Sequence, residues 1–198
     1  MGKQGKDATL TFVKDTARNY DPDPAHNEQV TGLALALFDG LRGLHGYGPA
    51  ERRLLEIAAR LHDIGWARVV EGKHNKVSRD MILELEIPGL DPQDRSTCAL
   101  IARYHTKAPP DASRHRRFAS LDPERRHRVE WLAGMLRVAD GLDCTHNRGV
   151  SRLACGVGRR TVTIRLQTTG DCRAEVEGAR QKHELLETKA GRRIEYRC

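Results

Sequence analysis

An apolar helix that leads directly into a histidine–aspartate pair is the feature that most constrains how this chain can fold. Leu54, Ala58 and Leu61 recur at helical spacing, so one stripe of this helix faces a core. His62 and Asp63 follow at once. Burying an imidazole and a carboxylate together is costly unless a partner compensates. A divalent cation is one such partner, because it binds a neutral imidazole nitrogen and an anionic oxygen; a pair that only caps a buried helix is the alternative.

Three further helical patterns each place one metal-binding residue type on an otherwise apolar face: His26, His105 and Asp140. Their apolar neighbours are Val30, Leu33, Leu37 and Leu41 for His26, Cys98, Ile101 and Ala102 for His105, and Leu132, Leu136 and Ala139 for Asp140. A single histidine on such a face is more often an ordinary core residue than a ligand. Convergence on one metal centre would explain all of these residues together, whereas separate hydrogen bonds would require several coincidences.

The pattern along the chain predicts a mainly α protein with a small mixed part at its end. We expect a disordered tail over residues 1–8, a helical domain over 9–149 and an α+β appendage over 150–198. Helices are predicted over residues 9–19, 24–41, 49–61, 74–86, 92–105 and 123–147. In the appendage, strands are predicted over 151–156, 161–166 and 193–196, with one helix within 171–189. At 198 residues the chain can bury one sizeable core.

The charge balance favours an anionic partner without identifying it. The formal net charge is +7, from 34 Lys+Arg against 27 Asp+Glu. Part of the excess is a cluster of arginines, namely Arg114, Arg116, Arg117, Arg125, Arg126 and Arg128. Polyphosphate, phosphorylated metabolites and nucleic acid would each suit such a cluster, and a solvated arginine-rich loop is the alternative. Nucleic acid ranks last, because no recognition motif accompanies the charge.

Cysteine usage and hydropathy predict a cytoplasmic protein with no membrane segment. No apolar run approaches the about 20 residues of a membrane span, and no signal-peptide stretch follows the charged start. The five cysteines are odd in number and form no Cys-x-x-Cys pair, which indicates free thiols in a reducing compartment.

The order His … His-Asp … Asp resembles that of the HD-domain metal-dependent phosphohydrolases. Four spaced motifs extend the resemblance: His26-Asn-Glu-Gln-Val, Ala59-Arg-Leu-His-Asp-Ile-Gly, Arg103-Tyr-His-Thr-Lys-Ala and Leu136-Arg-Val-Ala-Asp-Gly-Leu-Asp. Together they are similar to the C-terminal HD region of the exopolyphosphatase/guanosine pentaphosphatase family, from Phe12 to the end. The resemblance implies an HD-domain helical bundle that stands alone here, without the actin-like part that hydrolyses polyphosphate in that family. We therefore do not carry exopolyphosphatase activity over.

The same resemblance implies roles for individual residues. It assigns one divalent metal (Mn, Mg, Fe, Ni or Zn) to His26, His62, Asp63 and Asp140, and the catalytic roles to Asp63 and His105. His74 and His105 match positions that hold a second metal or the substrate phosphate. Val77 stands where the family often has a histidine, which argues against a tightly held second metal. Residues expected to contact or orient the substrate are Arg103, Lys107, Asp143 and Arg148.

These observations predict a metal-dependent phosphohydrolase that acts on a phosphate ester or anhydride, such as a nucleotide, polyphosphate or a related anion. The alternative is a non-catalytic regulatory module that binds polyphosphate or a nucleotide. The complete ligand set favours the enzyme, since a degraded binding module would be expected to lose His26 or Asp140. The expected partner is an anionic phosphorylated substrate, and a homodimer is a further option.

Overall fold

The computed structural model describes residues 3–69 and 72–198, with side chains described from residue 8 onward. Its helical part is made of long helices joined by short turns. They are α1 (Lys3–Tyr20), α2 (Pro24–Gly40), α3 (Arg42–His45), α4 (Pro49–Arg60), α5 (His74–Glu84), α6 (Pro92–Arg103), α7 (Arg116–Ala119) and α8 (Pro123–Gly141), with a 3-10 turn at Ile64–Arg68 after α4. The predicted mainly α fold is confirmed.

Aspartate–proline pairs begin three of these helices, and each of the three was predicted from the sequence to start at its proline. Asp23 accepts a hydrogen bond from the amide of His26 at 3.0 Å. Asp91 and Asp122 cap α6 and α8 in the same way, and a proline occupies the first turn each time. A carboxylate here satisfies amide donors that have no partner inside the helix, and proline loses nothing because its missing N–H would have been unpaired.

Several helix boundaries differ from the prediction. Helix α1 begins at Lys3, so it includes most of the residues expected to form a tail; residues 1–2 of that tail lie outside the described residues. Helix α8 ends at Gly141 rather than near residue 147, because Asp143 accepts a hydrogen bond from the backbone amide of Arg148 and closes a turn. Between the helices predicted over residues 24–41 and 49–61, the structure contains the short helix α3.

The C-terminal part is a three-stranded sheet with helices along one connection. Strands β1 (Val150–Val157) and β2 (Thr161–Thr168) are antiparallel, and β3 (Arg193–Arg197) lies parallel to β2. Between β2 and β3 the single predicted helix is two, α9 (Arg173–Arg180) and α10 (Glu184–Ala190). They are separated by a turn whose Lys182 carbonyl accepts a hydrogen bond from Arg137.

The sheet and the helices share one hydrophobic core. Alternate residues of β2 (Val162, Ile164 and Leu166) are buried in the same cluster as the apolar faces of α2, α4, α6 and α8. Strand β1 packs against α2, and α9 and α10 pack against α8. The boundary predicted after residue 149 therefore separates two kinds of secondary structure that pack together. Among the described helices, none is long and apolar enough to span a membrane.

The prediction of free thiols is wrong for two of the five cysteines. Cys172, just before α9, forms a disulfide with Cys198 at the C-terminus. Cys98, Cys144 and Cys155 are free. The disulfide removes the basis on which the cysteines indicated a reducing compartment.

The α8–α9 contact depends on glycine, and this generates a stability prediction. A methyl group at Gly141 would lie 2.6 Å from the carbonyl oxygen of Gly178 and 2.7 Å from Cα of Ala179, so Gly141→Ala must push α9 away. We expect it to lower the free energy of unfolding by about 1–3 kcal/mol. Gly32→Ala is the matched control, because that methyl group would meet nothing within 4 Å. In mid-helix it should raise stability by about 0.5–1 kcal/mol.

Urea unfolding followed by circular dichroism measures both variants. Equal stability of the two alanine variants would contradict the close helix contact.

Candidate metal centre

One end of the helical bundle, where the ends of several helices meet, brings the predicted ligands together. His26 lies in the first turn of α2, and Asp140 lies in the last turn of α8. His62 with Asp63 follows the end of α4, and His105 follows the end of α6. All of these residues are buried. Helix α2 packs on both α4 and α8, and α6 packs on the same two helices, so the ends converge on one small volume.

Asp143 fixes the orientation of His26. Its Oδ2 lies 2.8 Å from Nδ1 of His26, while the other ring nitrogen, Nε2, lies 3.3 Å from Oδ1 of Asp140. Asp143 is itself fully buried, and its second oxygen accepts the amide of Arg148 at 2.8 Å. A carboxylate behind a histidine in this way holds the ring and increases its basicity, as in the outer sphere of many metal sites.

His62 and His105 are each oriented by a hydrogen bond from the ring to the backbone carbonyl three residues earlier. Nδ1 of His62 lies 2.6 Å from the carbonyl oxygen of Ala59, and Nδ1 of His105 lies 2.7 Å from that of Ala102. Because a carbonyl can only accept, each Nδ1 carries the proton, and in the neutral ring each Nε2 then presents a lone pair. Both lone pairs face the interior of the cluster, where the two rings approach edge to face.

The middle of the cluster contains buried polar atoms without a hydrogen-bond partner. They include Nε2 of His62 and Oδ1 of Asp63. Oδ1 of Asp63 lies 3.3 Å from Nε2 of His74 and 3.4 Å from Nε2 of His105, within ion-pair range but without hydrogen-bond geometry. The two Nε2 atoms are 3.1 Å apart. Buried polar atoms are normally satisfied, so a lone pair and a carboxylate oxygen left without hydrogen-bond partners fit the donor set of a metal site.

Two groups of ligand atoms have a spacing that suits a metal. The first is His26, His62 and Asp140, and the second is His62, Asp63 and His105. In each group the atoms lie within 4.8 Å of one another. Because His62 belongs to both, the groups adjoin, and the set can accommodate one cation or two neighbouring cations. His74 lies beside the second group, as the distances to Asp63 and His105 indicate.

Electrostatics divides the cluster into a half of paired opposite charges and a neutral half. Burial lowers the pKa of His26, but the hydrogen bonds that its ring donates to Asp140 and Asp143 outweigh this effect and raise the pKa to about 10. Burial also opposes ionisation of Asp140, yet His26 and then Lys182 hold its pKa well below the ordinary value. Burial lowers the pKa of His105 to about 3, so this imidazole is neutral and offers a lone pair rather than a proton.

The cluster opens into a cleft of about 350 Å³ whose wall includes residues that sequence reasoning missed. Lys182, from the turn between α9 and α10, forms an ion pair with Asp140. His146 stacks on His26 at 4.0 Å and contacts Asp23, and Trp66 stacks on His74 at 4.1 Å. The sequence around Lys182 and His146 gives no sign that they line a site, because both lie in turns, where apolar residues do not recur at a regular spacing. Trp66 lies three residues after Asp63, and this closeness to the histidine–aspartate pair was the available sign that it lines the cleft.

The predicted substrate residues lie in different places. Lys107 is exposed and does not line the cleft, whereas its neighbour Thr106 does. Arg148 contacts the cluster through its backbone amide, and its side chain is exposed. Asp143 contacts His26 from behind. Arg103 lines a separate cavity and takes no part in the wall of this cleft.

Comparison with known proteins identifies one family. The model of the family described as Ppx/GppA phosphatase, domain III, matches residues 10–177. That range includes every residue of the two candidate ligand groups. A search of curated proteins found no match.

Arg137 braces the cleft from behind. This buried arginine of α8 donates from Nη1 to the carbonyl oxygens of Tyr104 and Lys107, at 3.0 Å and 3.1 Å. Its Nε donates to the carbonyl of Lys182 at 3.3 Å. One side chain therefore ties the segment that carries His105 to the turn that carries Lys182.

Removal of this brace should loosen both segments at once. We expect Arg137→Met to lower the free energy of unfolding by about 3 kcal/mol, since one buried hydrogen bond to a charged group contributes about 1.5–3 kcal/mol. Amide hydrogen exchange across residues 104–108 and 181–183 should accelerate. Arg68→Met, which removes an exposed ion pair with Glu84, is the control and should cost less than about 1 kcal/mol. Unchanged exchange in both segments of Arg137→Met would show that Arg137 is no brace.

Proposed function

Because the chain belongs to the Ppx/GppA phosphatase domain III family, we propose that it is an HD-type phosphohydrolase that uses a divalent cation to hydrolyse a phosphate ester or anhydride. The observation that carries the proposal is the cluster itself. Two ligand groups share His62, and Nε2 of His62 and Oδ1 of Asp63 are buried without hydrogen-bond partners. A plain helix-capping pair would leave neither atom in that state.

The donor set favours certain cations. In the proposed site His26, His62 and Asp140 would hold one cation, and Asp63 and His105, with His62, would hold or approach a second. Imidazole-rich sites suit Mn, Fe, Ni or Zn better than Mg, which prefers oxygen ligands and retains its waters. Val77 packs against the core and stands where a further histidine ligand would be. This supports weaker binding of a second cation.

The residues of the chain would divide the chemistry among them. The chemistry that a divalent cation would supply, when bound by these residues, is a water of lower pKa (about 7) and polarised phosphoryl oxygens. Asp143 and the carbonyls of Ala59 and Ala102 keep the imidazoles aligned, so no reorganisation is needed. The carboxylate of Asp63 would also be close enough to such a water to accept a hydrogen bond from it. The ammonium of Lys182, at the wall of the cleft, can donate to a phosphoryl oxygen.

A non-catalytic module that binds polyphosphate or a nucleotide is the second candidate. The specific observation in its favour is that the matching family model describes one domain of such phosphatases, domain III, and a domain match by itself does not establish hydrolysis. Convergence of the complete ligand set favours hydrolysis, since simple binding of an anion needs cations and donors but no buried lone pairs. Turnover therefore separates the two.

The first test measures metal and turnover together. Protein purified without chelator should contain a stoichiometric transition metal and should hydrolyse at least one compound in a screen of nucleotides, phosphomonoesters and polyphosphates. His62→Ala should weaken metal binding by more than the about 10- to 100-fold that loss of an outer partner costs, and should abolish turnover. His127→Ala is the matched control, because His127 is exposed and lies outside the cleft.

Metal bound without turnover on any compound would favour the binding module. Absence of bound metal after reconstitution with each of these cations would overturn the proposal.

The second test separates the two ligand groups. His105 belongs only to the group with Asp63, so His105→Ala should retain the cation held by His26, His62 and Asp140. Turnover on a substrate found in the screen should fall by about 100-fold or more, because a group aligned in the site is lost. Metal content by mass spectrometry and kcat are the measurements. Loss of all metal would mean that the cluster holds one cation with His105 among its ligands, and an unchanged kcat would remove His105 from the reaction.

A further inference from the structure

A second cavity, of about 530 Å³, lies between α5, the end of α6 and the segment that includes α7. It shares no lining residue with the metal cleft. Its wall contains six cationic side chains and no carboxylate among the described residues: Lys76, Arg79, Arg103, Arg114, Arg116 and Arg117. A wall of one sign of charge concentrates ions of the opposite sign.

Arg103 is the unusual member of this wall. The residue is only 6% exposed, and its Nη1 has no hydrogen-bond partner within the described part of the chain. Burial lowers the pKa of this guanidinium, which nonetheless stays charged at neutral pH. Its carbon atom Cζ lies over the Tyr104 ring, 5.5 Å from the ring centre, in a cation–π contact. An unpaired buried charge is destabilising, so such a charge at a cavity wall indicates an absent anionic partner.

The neighbouring cations are only partly neutralised. Arg79 pairs with Asp80 at 2.7 Å, and Arg114 approaches Asp111 at 3.4 Å. Lys76, Arg116 and Arg117 form no ion pair with the described residues. With Arg103, four positive charges around the cavity are thus left without a carboxylate. A compact anion of more than one negative charge suits this surplus better than a carboxylate of single charge.

Arginine chemistry narrows the class of anion. The planar guanidinium offers parallel N–H donors that match two oxygens of a tetrahedral phosphate, and charge-assisted bonds of this kind are about twice as strong as neutral ones. Few aromatic side chains line the cavity, so a base-stacking platform for nucleic acid is missing from its described wall.

We propose that this cavity is a second anion site, independent of the metal cleft, in which Arg103 binds a phosphate-type oxyanion. The oxyanion is either free orthophosphate or a phosphoryl group of a longer phosphorylated molecule. The site requires neither a cation nor hydrolysis, so it goes beyond the proposed function. It lies close to the cleft along the chain, since Arg103 is two residues before His105 and its carbonyl accepts from Asn75, the neighbour of His74.

The test is calorimetric titration of the full chain with orthophosphate, pyrophosphate and tripolyphosphate in the presence of chelator. Wild-type protein should bind at least one of them saturably, and the affinity should fall as salt is raised. Arg103→Met should weaken binding by about 10- to 100-fold. Arg173→Met is the matched control, because Arg173 is exposed, pairs with Asp171 and lies outside the cavity; it should leave binding unchanged.

The melting temperature separates anion binding from a merely structural role of Arg103. If the role were only structural, Arg103→Met would lower the melting temperature. Without anion, the melting temperature of Arg103→Met should equal or exceed that of wild type, because an unpaired buried charge is removed. With phosphate, wild type should gain stability and Arg103→Met should not. If Arg103→Met fails to fold, the exposed double variant Arg116→Gln/Arg117→Gln decides: reduced phosphate affinity supports the site, and unchanged affinity overturns it.

The three titrations also distinguish free orthophosphate from a phosphoryl group of a longer molecule. Equal affinity for the three anions supports free orthophosphate or a terminal phosphoryl group, whereas affinity that rises with length supports a longer phosphorylated ligand. Binding that requires an added divalent cation would place the anion in the metal cleft and overturn the proposal. So would an absence of saturable binding by wild type, or an Arg103→Met variant that binds as well as wild type.

Discussion

The buried contact of His26 with Asp140 and Asp143 is the interaction on which the rest of the structure depends. It joins the first turn of α2 to the end of α8 across 117 residues of sequence, with His26 at 2.8 Å from Asp143. Three ionisable groups in an apolar interior are stable only if they satisfy one another or bind a cation. Once they are joined, the ends of α4 and α6 are brought to the same volume by ordinary packing of their apolar faces, and His62, Asp63 and His105 arrive with them.

The C-terminal part completes the cleft as well as covering the core. Lys182 supplies the cation beside Asp140, and its carbonyl is held by Arg137, which also holds the carbonyls of Tyr104 and Lys107. The close contact of Gly141 with Gly178 allows α9 to approach α8 near enough for this arrangement. A strand–helix–strand unit that reads as an appendage in the sequence is therefore a structural component of the candidate centre.

The metal cleft and the second cavity lie on either side of one chain segment and differ in their balance of charge. In the cleft, positive charge is balanced by carboxylates that include Asp63 and Asp140. In the second cavity, positive charge is in surplus, and Arg103 is buried without a partner. The segment from Arg103 to His105 contributes to both, because consecutive residues at the end of α6 point to different surroundings. The positive charge of the described residues is thus unevenly distributed between these two cavities.

The sequence by itself determined the helices, their aspartate–proline starts and the main candidate ligands, because apolar periodicity, capping and the His-Asp pair are local signals. It could not determine that α8 ends at Gly141, that the helix in the last part is divided, or that Cys172 pairs with Cys198, since each depends on a contact distant in sequence. The tertiary structure alone decided that Lys182 and His146 join the cleft and that Arg103 faces another cavity. The physical reason is that turns and helix ends have no periodicity, so the direction of their side chains is set by the elements that pack around them.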